Sequence, residues 1–185
     1  MMYRAHMITA LAAVGLLVAT GSPALPQTLS ADAVFARFCE LDSRGAQLTP
    51  DGWQKIAALF VKPGAPRRDR IIVTDKRGGP LRSTPEGGKI GVGREYIWLG
   101  QIDLPQVRFS DTDAGIKVVE AQGIYMVKIT GPGGTEEWRI EGPVPEPHLT
   151  VDAAIRYVTE ILASTKDAAI RKNADRTLAA LKRIR

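Results

Sequence analysis

Apolar residues in the first part of the chain recur with a period of about 3.6, which predicts amphipathic helices. We place the first helix between Ser30, a good N-cap residue, and Gly45. A second helix is predicted to begin at Thr49, with Pro50 and Asp51 in its first turn. The buried faces of the two helices are predicted to consist of Val34, Phe35, Phe38 and Leu41, and of Trp53, Ile56, Ala57 and Phe60.

After a loop rich in proline and glycine, residues 61–68, the pattern changes to that of β-strands. By composition we assign AQG, residues 121–123, and GPGG, residues 131–134, to hairpin connections. Because no helical pattern interrupts the strands, the sheet is predicted to be antiparallel. The strand-like runs are rich in Val, Ile, Tyr and Trp and read RIIVTD, KIGVGREYIWLGQID, GIKVVEAQGIYMVKIT and EEWRIEG.

The last part of the chain returns to helical spacing. Three prolines within residues 142–150 predict an extended, rigid connector. Thr150 can cap the helix that follows, and a final helix has an apolar stripe formed by Ile170, Leu178, Leu181 and Ile184. The fold class is therefore α+β, with two N-terminal helices, an antiparallel sheet of about four to six strands and two C-terminal helices. We expect residues 25–150 to form the domain and residues 151–185 to pack on it.

Residues 1–24 have the order of a secretory signal peptide. A short basic region, MMYRAHM, precedes thirteen apolar residues, ITALAAVGLLVAT, and GSPA supplies small residues for cleavage after Ala24. The alternative is an uncleaved anchor, but the apolar run is shorter than the ~20 residues that span a bilayer. We therefore expect a mature protein that begins at Leu25 and works in the periplasm or outside the cell.

Positive charge is concentrated near the C-terminus. The chain has 25 basic and 20 acidic residues, and residues 166–185 hold seven of the basic and two of the acidic ones. A nucleic-acid partner is not expected, because the rest of the mature chain is close to neutral and carries an export signal. The basic side of the last helix is either solvated or contacts an acidic protein or an anionic membrane surface through Arg171, Lys172, Arg176, Lys182 and Arg183.

The predicted mature chain has few residues that could bind a metal ion or form a disulfide. Residues 25–185 contain one cysteine, Cys39, and one histidine, His148, so we expect no internal disulfide, no metal site and no cofactor. A calcium loop at Asp42 is rejected because Arg44 stands where an oxygen ligand is needed. Cys39 lies beside the apolar stripe of the first helix and is expected to be buried and inert, although it could link two chains into a homodimer.

Several phrases of the sequence resemble a known superfamily. The segments LDSRGAQLTPDGWQKIAALFVKPGAPRRDRIIV, EYIWLG, EWRIEG and PEPHLTVDAAIRYVTE, followed by KNADRTLAAL, are similar to exported bacterial proteins of the nuclear-transport-factor-2-like, or cystatin-related, superfamily. The resemblance covers most of residues 35–183 and implies a cone-shaped fold with a curved antiparallel sheet. That superfamily includes ketosteroid isomerase and limonene-epoxide hydrolase as well as non-enzymatic binding domains, so the fold alone decides no activity.

Candidate site residues follow from strand alternation. Arg94, Tyr96 and Trp98 are predicted to share a face with Val92. If the aromatic faces line the concave side of the sheet, the candidate ligand contacts are Arg94, Tyr96, Trp98, Trp138 and His148. A cofactor-free isomerase, dehydratase or hydrolase of the cone type would instead need an acid beside Tyr96, and the candidates are Asp103 and Glu95.

His148 is open to three interpretations: a catalyst, a ligand contact, or a structural group. The structural role is favoured, because a histidine between Pro147 and a helix cap can hydrogen-bond the connector to the sheet, with Glu141 or Glu146 as partner. We therefore expect a non-catalytic binding or interaction domain with an aromatic-lined concavity for a small apolar ligand. The alternatives are a cofactor-free enzyme and an envelope interaction protein that acts through its basic C-terminal helix.

Overall fold

The computed structural model describes residues 29–75, 80–111 and 118–185, so the predicted signal peptide lies outside the described residues. The described part is α+β. Ser30, Thr49 and Thr150 accept hydrogen bonds from backbone N–H groups in the first turns of three helices, as predicted. The helices of the described part are α1 (Ala31–Ser43), α2 (Pro50–Ala57), α3 (Val151–Ser164) and α4 (Ala168–Ile184).

The strands of the described residues form one sheet. Five of them lie side by side in the order β6-β5-β3-β1-β7, and β2 and β4 each pair with β3. The pairs are antiparallel except for β1 and β7, which are parallel. In chain order the strands are β1 (Arg70–Asp75), β2 (Pro80–Glu86), β3 (Lys89–Asp103), β4 (Arg108–Asp111), β5 (Val118–Thr130), β6 (Glu136–Ile140) and β7 (His148–Thr150).

The predicted hairpin connection at residues 121–123 is wrong. Ala121, Gln122 and Gly123 lie inside β5, where Gly123 pairs with Gly93 of β3. The long neighbouring strand supplies a continuous row of backbone partners, so the glycine is held extended and makes no turn. The other predicted connection is confirmed, because residues 131–134 join β5 to β6 in an antiparallel pair.

Two clusters of buried side chains hold the helices on the sheet. The first joins α1 and α2 to β3, β5 and β6 and includes Phe35, Phe38, Ile56, Val92, Met126 and Ile140. The second joins α3 and α4 to β1, β3 and β7 and includes Ile71, Val73, Ile102, Leu149, Val158 and Leu181. The predicted apolar stripe of the last helix therefore docks on its own domain, with Leu178 and Leu181 buried and Ile170 and Ile184 half-buried.

A β-bulge explains how β3 serves both clusters. Val92 and Ile102 are both even-numbered positions of β3, yet they belong to different clusters. Val73 pairs with Gly100 and the next residue, Thr74, pairs with Trp98, so Leu99 is the extra residue on β3. One extra residue reverses the facing of the side chains that follow, so β3 turns its first part toward α1 and its last part toward α3 and α4.

Candidate functional site

A cavity of about 270 Å³ lies between α1 and the central strands of the sheet. Strand alternation explains its wall on β7, because His148 and Thr150 line the cavity whereas Leu149 points into the opposite cluster. No residue from the body of α3 or α4 is part of the wall that the described residues form. The residues that line the cavity are Phe35, Ala36, Cys39, Glu40, Ser43, Thr74, Asp75, Arg94, Glu95, Tyr96, His148 and Thr150.

A buried carboxylate beside the cavity ties three elements together. Asp42 of α1 is fully buried and accepts a 2.8 Å hydrogen bond from Nη2 of Arg94 on β3. The same carboxylate accepts 2.8 Å from Nε2 of Gln47 and 3.2 Å from the backbone N–H of His148 on β7. Since a buried charge must be paired and hydrogen-bonded, this arrangement fixes α1 over β3 and β7 and so sets the shape of the cavity.

Arg94 is held in place on all sides. Its Nε donates a 2.9 Å hydrogen bond to Oε1 of Gln122 on β5, and its guanidinium lies 5.6 Å from the ring of Phe38 and 5.8 Å from that of Tyr96. Burial is the largest single influence and lowers the pKa of Arg94, but the charges of Asp42, Cys39 and Tyr96 and the hydrogen bond to Asp42 together raise it by more, so the pKa lies above its usual value. Arg94 is therefore a permanent cation that is already paired within the protein.

His148 is neutral in this environment. Burial and the nearby charge of Arg94 lower its pKa below the usual value, although Asp42 opposes the change. Its Nδ1 lies 2.7 Å from the carbonyl oxygen of Glu146, so Nδ1 must carry the proton and donate. Nε2 is then a hydrogen-bond acceptor, and no residue of the described part of the chain donates to it. His148 lines the cavity, and its neutral ring carries an acceptor nitrogen that no described residue already uses.

Tyr96 supports the histidine and closes one side of the cavity. The two rings meet edge to face with their centroids 4.8 Å apart. The Tyr96 hydroxyl donates a 2.5 Å hydrogen bond to Oε2 of Glu120 on β5. Burial and this hydrogen bond raise the pKa of Tyr96 far above its usual value, so the phenol stays protonated and is not a base at neutral pH.

Cys39 supplies a thiol to the cavity wall. It is half-buried and not disulfide-bonded, and burial raises its pKa although the charge of Arg94 acts in the opposite direction. A thiol in this state is a weak nucleophile at neutral pH. Cys39 was predicted to be buried, but the structure places it half-buried at the cavity wall.

The structure brings together three of the five predicted ligand contacts. Arg94, Tyr96 and His148 all line the cavity, and Glu95, one of the two predicted acids, lies exposed at its rim. Trp98 and Trp138 do not line it. Trp98 donates from Nε1 to the carbonyl oxygen of Gly100, and Trp138 packs beside the cluster of α1 and α2 with Lys128 over its ring.

Asp103 lies away from the cavity. It is the last residue of β3, where it pairs with Arg108 across the ladder and accepts a 3.2 Å hydrogen bond from Nε2 of Gln101. Asp103 therefore ends a strand just before the connection to β4. Aspartate is common at such positions for structural reasons, so the strand-end position alone does not indicate a catalytic acid. The structure gives it no contact with Tyr96 or His148.

Asp42 is the residue that the sequence analysis considered only as a calcium ligand. Its helical position was the available signal, because Asp42 comes four residues after Phe38 and therefore lies on the buried stripe of α1. An acid on such a stripe needs a buried cation, and Arg94 was a candidate for the inner face of β3. Glu120 and Gln122 gave no such signal, because their strand was predicted to turn there.

Known chemistries and known proteins give no further assignment. The described residues 29–75, 80–111 and 118–185 contain no group of three or more His, Cys, Asp or Glu side chains that could hold a metal ion. Within the same part of the chain, no helix is long and apolar enough to cross a membrane. Comparisons with protein-family models, curated proteins and solved structures found no match.

Proposed function

We propose that this chain is an exported, non-catalytic domain that binds a small molecule in the cavity between α1 and the sheet. The observation that carries the proposal is the combination of a partly open cavity of about 270 Å³, apolar walls from Phe35, Ala36 and Tyr96, and a neutral imidazole, His148, among the polar residues of the lining. Ligand sites have this composition, because apolar walls supply affinity and a few polar groups fix orientation. We further propose that the domain has a cone-like architecture with two N-terminal and two C-terminal helices.

The size and chemistry of the cavity define a ligand class. About 270 Å³ lies just below the volumes of ~300–1,000 Å³ that are common for ligand pockets, so the ligand would be compact. Most of the lining surface is apolar and Nε2 of His148 can accept a hydrogen bond, so the ligand would carry a hydroxyl or N–H donor on a largely apolar body. A neutral aromatic or alicyclic alcohol has these properties.

Binding is favoured over catalysis by the way the polar groups are used. Arg94 is paired with Asp42, the Tyr96 hydroxyl with Glu120, and Nδ1 of His148 with the Glu146 carbonyl. General acid–base catalysis needs a group whose pKa lies near the working pH and which can reach the substrate. The pKa of Tyr96 is raised far from neutrality, and that of His148 is lowered by its burial.

The test combines native mass spectrometry with a variant that fills the cavity. Protein purified from an exporting host is compared under native and denaturing conditions, and 2-naphthol serves as a compact, fluorescent probe with one hydroxyl donor. Ala36→Trp places an indole at the cavity wall, whereas Ala163→Trp places the same group on an exposed position of α3 outside the cavity.

A copurified mass that is lost on denaturation, or saturable 2-naphthol binding, supports the proposal if Ala36→Trp removes it and Ala163→Trp does not. The proposal fails if the wild-type protein carries no additional mass and does not bind 2-naphthol. It also fails if both variants bind as well as the wild type, since the binding would then lie outside this cavity.

A further inference from the structure

The solvent-facing side of α4 carries a row of cations. At about 100° per residue, Lys172, Arg176 and Arg183 lie within roughly 40° of one another around the helix axis. All three side chains are exposed, and the exposed Ala179 lies in the same row. We call these three residues the basic stripe. The opposite side of α4 is apolar and buried, with Ala174, Leu178 and Leu181 in the core.

The charges of the basic stripe are not neutralised by acidic residues of the described part of the chain. Two other cations of this region have partners within the domain. Arg171 donates to the carbonyl oxygens of Leu162 and Thr165, and Arg185 forms a 2.8 Å ion pair with Asp152. By contrast, no member of the basic stripe forms an ion pair with any residue in the described part of the chain. Its charge is therefore directed outward.

A cleft at one side of the basic stripe brings a second arginine close. Arg108 of β4 and Arg176 of α4 both line a cleft of about 170 Å³. The helix is fixed there by Thr177, whose hydroxyl donates 2.7 Å to the Val107 carbonyl and accepts 3.1 Å from the Phe109 N–H. Two arginines that line one cleft suit a phosphate group, which accepts several hydrogen bonds from such donors.

We propose that the basic stripe and the cleft of Arg108 and Arg176 form a docking surface for an anionic lipid membrane, with a headgroup phosphate in the cleft. Lys172 and Arg183 lie three turns apart on α4, so the row of cations is about 17 Å long and can face more than one headgroup. Within the described residues, the exposed side of α4 carries alanines, cations and one acid, Asp175, but no large apolar side chain. A tight protein interface has a well-packed, desolvated core, which a row of exposed cations does not offer, whereas each cation near an anionic membrane surface contributes about 1 kcal/mol without one.

The test measures cosedimentation with vesicles of phosphatidylcholine, with and without phosphatidylglycerol. The stripe variant replaces Lys172, Arg176 and Arg183 by Gln, which keeps helix propensity nearly constant. The matched control replaces Lys55, Lys62 and Arg68 by Gln, which removes the same charge from exposed positions outside α4. Circular dichroism and thermal unfolding verify that both variants are folded.

We expect the protein to bind only the vesicles with phosphatidylglycerol and to bind more weakly as salt is added. The stripe variant should bind roughly 100-fold more weakly, about fivefold for each cation removed, and the control variant should lose far less. Equal losses in the two variants would overturn the proposal, because net charge alone would then explain binding. No binding to anionic vesicles, together with tight binding to soluble polyglutamate, would overturn it in favour of an acidic protein partner.

Discussion

Arg94 donates a 2.8 Å hydrogen bond to Asp42, and the two side chains expose no more than 10% and 0% of their surface. The pair joins residues 52 positions apart in sequence, on β3 and α1. Because Asp42 also accepts from the backbone of His148, one carboxylate sets the distance between the helix and two strands of the sheet. The cavity exists where this connection holds α1 above the sheet.

Replacement of Asp42 by Asn should lower the free energy of unfolding by about 3–5 kcal/mol, because Arg94 would be left as a buried charge without its counterion. Urea denaturation measures the change. Glu136→Gln is the matched control, since Glu136 pairs with Lys128 at an exposed position, and we expect it to change stability by less than about 1 kcal/mol. Equal urea midpoints for Asp42→Asn and the wild type would contradict the structural role of the buried pair.

His148 should make the domain less stable in mild acid. Its folded-state pKa is lowered, so between the unfolded-state pKa of about 6.5 and the folded-state pKa the unfolded chain binds more protons. The contribution of the neutral His148 ring to the free energy of unfolding is therefore fully present above about pH 6.5. It is lost as the pH falls from there through the folded-state pKa. Glu146 also has a lowered pKa, but its effect begins near the usual carboxylate range at lower pH. Arg94, whose pKa is raised, stays charged across the upper window.

Urea unfolding between pH 7 and pH 5 measures this effect, with His148→Asn as the comparison. The variant should have lower stability at pH 7 but a flatter dependence on pH in this range. NMR titration of the His148 ring should give a pKa below the usual value. A His148 pKa at or above about 6.5 would contradict the prediction, because the ring would then be solvated or stabilised as a cation.

Gly100 should not tolerate a side chain. Its φ is 154°, and a Cβ at this position would lie 2.6 Å from Cζ of Phe109 and 2.6 Å from the carbonyl oxygen of Ser110. Gly100→Ala should therefore lower the free energy of unfolding by about 2–4 kcal/mol through strain and overpacking. Gly123 is the matched control, since it also lies within a strand but has no atom within 4 Å of an added Cβ. Comparable urea midpoints for the two alanine variants would contradict this account.

The sequence was most informative where local rules decide the structure. Hydrophobic periodicity and cap residues located α1, α2 and α3, because Ser30, Thr49 and Thr150 each satisfy N–H groups that the helix itself cannot. The runs assigned to β1 and β3 match the observed bounds, and the two strands end at Asp75 and Asp103. Strand alternation also put Arg94 and Tyr96 on one face of β3, but it did not decide which face is the inner one.

Pairing between distant segments was not predictable in this way. The strands β2, β4 and β7 are short or contain proline, and partners on β3 and β1 hold them in the sheet. The bulge at Leu99 reverses the facing of β3, which no local pattern indicated. Asp42 could have been recognised as a buried acid from its helical position, but its connection to His148 depends on the parallel pairing of β1 and β7.

Cys39 should react slowly with thiol reagents in the folded protein. Burial raises its pKa, so the fraction of thiolate at neutral pH is smaller than in an unfolded chain, and the wall of the cavity limits access. We expect the rate of modification by 5,5′-dithiobis(2-nitrobenzoic acid) at pH 7 to increase by at least about tenfold when urea unfolds the protein. Saturation of the cavity with 2-naphthol should slow the folded-state reaction further, because the ligand would cover the thiol. A folded-state rate equal to the rate in urea would show that Cys39 is exposed and ionises freely, against the packing of α1 on β3.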